Sequence, residues 1–228
     1  CFTLSLTLPK LDESWLQAFS DSLRDASELF NVSLIGGDTT KGPLNITITI
    51  MGTVKKSKAI KRSGAKNGDD IYVSGDLGRA ALCLKKINEG SQPSTTELNK
   101  LNKPVPRLSL GSALKNIASS CIDISDGLEQ DLSHILSASK VGAIIDSNNL
   151  PLSDTVKEYI KSTQDWGLPL CGGDDYELCF TSDKSNQSEI KKLSENLKVR
   201  ITKIGVINNS LNLNIKGYDG LSKSFKHF

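Results

Sequence analysis

The chain has 228 residues, 37% hydrophobic and 24% charged, which is ordinary for a folded protein of one large or two modest domains and argues against disorder. Lys+Arg 28 against Asp+Glu 26 give a formal charge of +2. The lysines are scattered, so no basic stripe is present to track a nucleic-acid backbone, and no run reaches the ~18 apolar residues of a membrane-spanning helix. Five cysteines, at 1, 83, 121, 171 and 179, without a C-x-x-C pair, argue against a disulfide framework, and two histidines leave little material for zinc.

Residues 1–8 alternate apolar and polar side chains, which predicts a half-buried strand. They lack the basic start and continuous apolar stretch of a signal peptide, so a cytoplasmic protein is expected. A chain opening on Cys1 in mid-strand is also expected to continue upstream. Trp15, Phe19, Leu23 and Ala26, spaced by four and three, predict a helix over 11–30 with Asp12 as its N-cap. Gly36-Gly37-Asp38-Thr39-Thr40 then reads as a loop, before a strand over 45–54 in which Ile46, Ile48 and Ile50 alternate with Thr47 and Thr49. The polar, basic stretch 55–69 has no apolar period and reads as an interdomain crossing, with a boundary near residue 57.

Beyond it the pattern predicts a strand at 71–74, a helix over 77–88, a polar loop to Leu98, and a helix from about Arg107 to Ala118 after the Pro104-Val105-Pro106 stop. A short buried strand at 122–124 leads into a helix opened by Asp126-Gly127-Leu128-Glu129, a D-x-x-E capping arrangement. Further strands are expected at 141–145, 177–181, 200–206 and 211–215, with helices near 154–161 and 187–196.

Three acidic, glycine-flanked motifs carry the chemistry. In Gly36-Gly37-Asp38-Thr39-Thr40, residues without Cβ let the backbone approach a phosphate, next to a carboxylate and two hydroxyls; the same letters also make a common turn. Asp123 and Asp126 flank Ser125 at a strand-to-helix junction, where both could address a metal cluster. Capping explains one such acid but not a second emerging from an apolar strand. Asp174, Asp175 and Glu177 follow Gly172-Gly173, some of them expected only to solvate the loop. Mg²⁺ prefers oxygen ligands and shares its shell with substrate phosphates, so the three motifs together point to nucleotide-dependent phosphoryl transfer. Arg62 is a candidate to grip a phosphate, or a surface residue of a basic linker.

These stretches resemble the thiamine-monophosphate kinases, in the superfamily that includes aminoimidazole ribonucleotide synthetase and selenophosphate synthetase. The likeness is carried by 34–44, 62–75, Ile122-Asp123-Ile124-Ser125-Asp126-Gly127-Leu128, Leu150-Pro151-Leu152-Ser153, 172–181 and Lys216-Gly217-Tyr218-Asp219, spread over almost the whole chain. It implies ATP-dependent phosphorylation of thiamine monophosphate with several Mg²⁺ ions, a homodimer built through N-terminal sheets, and a two-domain α+β fold. Residues 1–56 would be an incomplete N-terminal ATP- and Mg²⁺-binding domain, and 57–228 a C-terminal α/β domain. By the same resemblance Asp38, Asp123 and Asp126 would hold Mg²⁺, Gly37, Arg62 and Ser125 would contact ATP, and Asp174 and Tyr218 would face the thiamine end.

The chain departs from the family pattern at several points. Asp174 stands where Glu is usual, Arg79 where an acid is usual, and 220–226 separate Tyr218-Asp219 from His227-Phe228. A Gly-Asp-Asp-Ala metal motif that the family carries further upstream is absent; Gly68-Asp69-Asp70 precedes the strand 71–73 and is not that motif. The resemblance therefore leads to the expectation that this stretch alone holds part of the catalytic apparatus.

Overall fold

The computed structural model describes residues 1–218, so the expected insertion at 220–226 and His227-Phe228 lie outside the described residues. The chain divides into two compact units, Cys1–Ser57 and the chain from Lys58 onward. Among the described residues no helix is long and apolar enough to cross a membrane.

In the first unit, β1 (Phe2–Leu8), α1 (Glu13–Phe30), β2 (Leu34–Lys41) and β3 (Asn45–Ile50) form a helix and a three-stranded sheet in the order β2-β1-β3. The predicted helix and its cap are present: the Trp15 N–H donates to Asp12 Oδ1 at 3.1 Å, and left-handed Asn31 closes the other end. β1 runs antiparallel to β3, with Phe2, Leu4 and Leu6 opposite Ile50, Ile48 and Ile46, and Ser5 opposite Thr47. Opposed residues share a face, so one side of the β1–β3 pair is apolar and the other polar.

The Gly-Gly-Asp segment is not the expected loop. It lies in β2, paired in parallel with β1, Ser5 opposite Asp38 and Leu4 opposite Gly37. All of β2 is exposed, so it needs no apolar alternation and leaves no period to read; the open edge of β1 makes it a strand. The strand expected to run to 54 stops at Ile50.

The second unit contains β4 (Asp70–Ser74), α2 (Arg79–Asn88), α3 (Thr95–Asn102), α4 (Leu108–Ala113), β5 (Ala118–Asp123), α5 (Leu128–Ser139), β6 (Gly142–Asp146), α6 (Asp154–Thr163), α7 (Gly167–Cys171), β7 (Leu178–Ser182), α8 (Gln187–Leu197), β8 (Ile201–Asn208) and β9 (Leu213–Lys216). The six-stranded sheet has the order β5-β7-β4-β8-β6-β9, antiparallel except for the β6–β9 pair. Central β4 alternates between two cores. Ile71 and Val73 join Leu132, Ile135, Val156 and Leu170 on one face, while Tyr72 joins Leu110, Leu114 and Ile190 on the other and stacks on Phe180, centroids 5.3 Å apart. Both faces are covered by helices, which is why every residue of β4 is buried.

Two expectations fail here. The polar loop to Leu98 contains the start of α3, set by a complete capping box between Ser94 and Glu97. The helix predicted over 107–118 stops at Ala113, because 118–123 are drawn into the ladder with β7; Ser119 and Ser120 hide that strand from an apolar pattern.

Strand directions bring several loops to one end of this sheet. β5, β4, β6 and β9 finish there and β7 begins there. That rim therefore collects the segments after Asp123, after Ser74, before Leu178 and after Lys216.

Candidate functional site

At this rim the segments 123–127 and 172–177 are laced together by main-chain hydrogen bonds. Asp174 N–H donates to Ser125 O at 2.9 Å, Tyr176 N–H to Ile124 O at 2.8 Å, and Ile124 N–H to Glu177 O at 2.8 Å. Gly173 lies so close to the Ser125 carbonyl that a Cβ would collide with it, so the glycine is required by the approach of the two loops. Asp174 and Tyr176 both have left-handed backbone, φ 65° and 50°. That region suits Asp better than longer or bulkier side chains. The Tyr176 hydroxyl donates to Asp174 Oδ1 at 3.2 Å.

Asp123 is exposed and Asp126 half-buried. The D-x-x-E capping expectation is not met: α5 begins at Leu128 behind Gly127, with no side-chain cap. Instead Asp126 accepts from Ser125 Oγ at 3.2 Å and from Gln130 Nε2 at 3.0 Å. Its main-chain N–H, with that of Ser125, turns inward to Asp131 Oδ2, at 3.0 and 2.9 Å. Burial raises the Asp131 carboxyl above the ordinary range against these two N–H groups, with Asp126 and Asp123 as like charges nearby. Burial raises the Tyr176 hydroxyl above its ordinary value, and the charges of Asp174, Asp123 and Asp126 act in the same direction.

Of the acids of 172–177, Asp174 is half-buried at the rim, whereas Asp175 and Glu177 do not solvate the loop. Asp175 and Glu177 are each 1% exposed. Asp175 Oδ2 accepts the Gly78 N–H at 2.8 Å, while Oδ1 is buried without a partner; burial pushes this carboxyl up to about 7, against the Gly78 N–H and the charge of Lys100. Glu177 takes a bidentate pair of bonds from Arg107 Nε and Nη2, both 2.6 Å, and bonds from Lys100 Nζ at 3.1 Å and Ser74 Oγ at 2.7 Å. Burial pushes Glu177 up, but Arg107, Ser74 and Lys100 outweigh it and hold the carboxyl below its ordinary value. Sequence reasoning missed Arg107, Lys100 and Asp131. The available signal for Asp131 was an acid on the apolar stripe Leu128, Leu132, Ile135; nothing local marks the other two.

The remaining candidates are placed as follows. Tyr218 follows β9 at the same end of the sheet, and its ring packs on the larger core. Arg62 is exposed and lies along the outer edge of β5: Cys121 N–H donates to Lys61 O, and Ser139 Oγ donates to Arg62 O at 3.3 Å. Gly37 and Asp38 belong to the other unit. Gly37, φ 150°, faces the Leu4 carbonyl, which a Cβ would strike, so strand pairing alone demands glycine there. Asp38 is exposed on the polar face, and its Oδ1 accepts the Thr39 N–H at 2.8 Å.

Among the described residues no group of three or more His, Cys, Asp or Glu side chains is close enough to hold a metal ion. Asp123 and Asp126 are an all-oxygen pair at an open rim. That donor set fits Mg²⁺, which is usually held by one or two carboxylates with water and substrate phosphates completing the shell.

Residues 1–54 match the family of AIR synthase related proteins in its N-terminal domain, and residues 66–216 match the C-terminal domain. A crystal structure of thiamine-monophosphate kinase from Stenotrophomonas maltophilia K279a superposes with a TM-score of 0.90 at 37% identity, over 96% of this chain and 72% of that one. The chain belongs to the AIR synthase related family. AaThiL complexed with AMPPCP and TMP is similar at TM-score 0.83 and 27% identity, over 100% of this chain and 73% of that one. The thiamine-monophosphate kinase of Escherichia coli K12 is 44% identical over 208 residues, 89% of this chain and 64% of the relative. The chain thus spans about two thirds of the length of that curated kinase, 64%.

Proposed function

We propose that this protein transfers the γ-phosphoryl group of ATP to the phosphate of thiamine monophosphate, giving thiamine diphosphate and ADP. The observation that carries the reading is the interlacing of 123–127 with 172–177 at one rim of the six-stranded sheet. It stands in a chain 37% identical to a solved thiamine-monophosphate kinase.

The acceptor chemistry suits a site without a histidine base. A phosphate monoester has a second pKa of about 6, so near neutrality it is largely a dianion that needs no deprotonation. Transfer between two polyanions then depends on positioning and on neutralising spread charge. Asp123 and Asp126 are the Mg²⁺ ligands of this rim, and when bound the metal supplies that neutralisation. Ser125 lies between them to contact ATP, and Arg62 is the candidate for bidentate contact with a nucleotide phosphate. On the first unit, Asp38 is a further Mg²⁺ ligand and Gly37 a nucleotide contact. Asp174 and Tyr218 serve the thiamine end; the left-handed backbone at Asp174 supports a short acidic side chain there. The exposed apolar face of Ile46, Ile48 and Ile50, 43%, 50% and 68% accessible, supports the homodimer, which light scattering checks.

Incubating the protein with ATP, Mg²⁺ and thiamine monophosphate, then oxidising the mixture and separating the fluorescent thiochrome mono- and diphosphates by chromatography, tests the reading. Thiamine diphosphate is expected, and Asp123→Asn and Asp126→Asn are each expected to lower its formation at least about a hundredfold, since they remove charge from the transferring group's surroundings. Absence of product from the protein in its full natural length overturns the substrate assignment.

A further inference from the structure

Asp131 is a buried acid for which the motifs provide no task. It lies in the first turn of α5, 3% exposed, on the stripe that Leu128, Leu132 and Ile135 bury. An acid is rarely buried so fully without partners. Here the partners are main-chain donors of the loop carrying Asp123, Ser125 and Asp126. A single oxygen, Oδ2, receives both the Ser125 and the Asp126 N–H.

The other bonds of this loop follow the same plan. Gln130, one residue before Asp131 on the same helix, donates to the Asp126 carboxylate at 3.0 Å. The Ile124 and Ser125 carbonyls are taken by the N–H groups of Tyr176 and Asp174. The loop is thus held from one side by the 172–177 segment and from the other by α5. Both the main chain and the carboxylate of Asp126 are bonded to that helix. Charge-assisted bonds to a buried carboxylate are stronger than neutral ones and fix direction, and groups that orient a metal ligand govern its affinity.

We propose that Asp131 is a positioning residue: by turning the Ser125 and Asp126 N–H groups inward, it sets the loop so that the Asp123 and Asp126 carboxylates are presented to the metal–nucleotide complex. This rests on the reading of Asp123 and Asp126 as Mg²⁺ ligands.

The test measures Mn²⁺ binding, as a Mg²⁺ substitute, in the presence of a non-hydrolysable ATP analogue, by the electron paramagnetic resonance of free Mn²⁺. Asp131→Leu keeps the side-chain size but removes the acceptor, and is expected to weaken Mn²⁺ about ten- to a hundredfold. Its far-UV circular dichroism should match the unaltered protein. Asp131→Asn retains a neutral carbonyl oxygen for both N–H groups and should restore part of the affinity; Asp126→Asn supplies the baseline. If the unaltered protein binds no more Mn²⁺ than this baseline, the metal reading itself fails, and the inference with it. A folded Asp131→Leu protein with unchanged affinity overturns the inference alone, as does Asp131→Asn binding no better than Asp131→Leu. If both Asp131 variants lose their fold, the residue belongs to the fold and the proposal is likewise overturned.

Discussion

The two units of this chain use similar strands under different burial. In the first unit Phe2, Leu6 and Leu8 are buried while Ile46, Ile48 and Ile50 stay exposed, and no residue of α1 is buried. In the second, helices cover both faces of the sheet, and Ile71, Val73, Ile145 and Ile204 are 0% exposed. The same alternation of isoleucine with polar residues therefore has different energetic weight in the two places. It also separates the candidate site residues. Asp38 stands on an exposed strand, whereas the loops bearing Asp123, Asp126 and Asp174 are tied to buried charges.

The sharpest way to break this contrast is at Glu177. Replacing it with Gln leaves Arg107 and Lys100 in a mostly buried place without their counter-charge, and should cost about 3–5 kcal/mol of stability in urea denaturation. A loss no larger than that of a surface substitution would mean the rim is not held from beneath. The sign with pH follows from the depressed folded-state pKa of Glu177. Its contribution is present above the unfolded-state value and is lost as pH falls through the folded-state value.

The core comparison is next. Ile204→Ala should cost about 2–5 kcal/mol, against about half a kcal/mol or less for Ile48→Ala on the exposed sheet face. Equal losses in paired denaturation curves would erase the distinction between the units.

Asp175 gives a pH test of the buried rim. Its folded-state carboxyl is raised to about 7, first by burial, so the unfolded chain ionises before the native one. Stability on this account is full at low pH and falls as pH rises from about 4 towards 7, by an amount on the order of a few kcal/mol. Asp175→Asn keeps an oxygen for the Gly78 N–H and removes the titration. Its stability relative to the unaltered protein should therefore rise between pH 5 and pH 8; a constant difference sinks this account. The smallest effect is expected at Asp12→Ala, which removes the acceptor of the Trp15 N–H and should slightly lower the helical signal of α1.

Much of the fold was legible because its signals are local. Asp12 capping α1, the alternation in β1 and β3, and Ile71-Tyr72-Val73 are each read from a few neighbouring residues. β2 and α3 were not, for opposite reasons. β2 has no apolar period because nothing buries it, and α3 is a mostly polar helix whose capping box, Ser94 with Glu97, passed as loop composition. In the site, glycine beside acid marked 123–127 and 172–177, but the letters could not rank the acids within them. Asp174 and Asp175 are adjacent, yet the first lies at the rim and the second is sealed beneath it.

By itself the sequence determined where chain direction, capping and apolar periodicity change, because those depend on residues within a turn or two of one another. It also marked which short motifs carry carboxylates beside glycine. Only the tertiary structure decided that Glu177 meets Arg107 across 70 positions and Ser74 across 103, and that Asp131 faces inward to the 125–126 backbone. Such partners are chosen by how helices and strands pack. A buried charge is stable only where packing brings it enough donors.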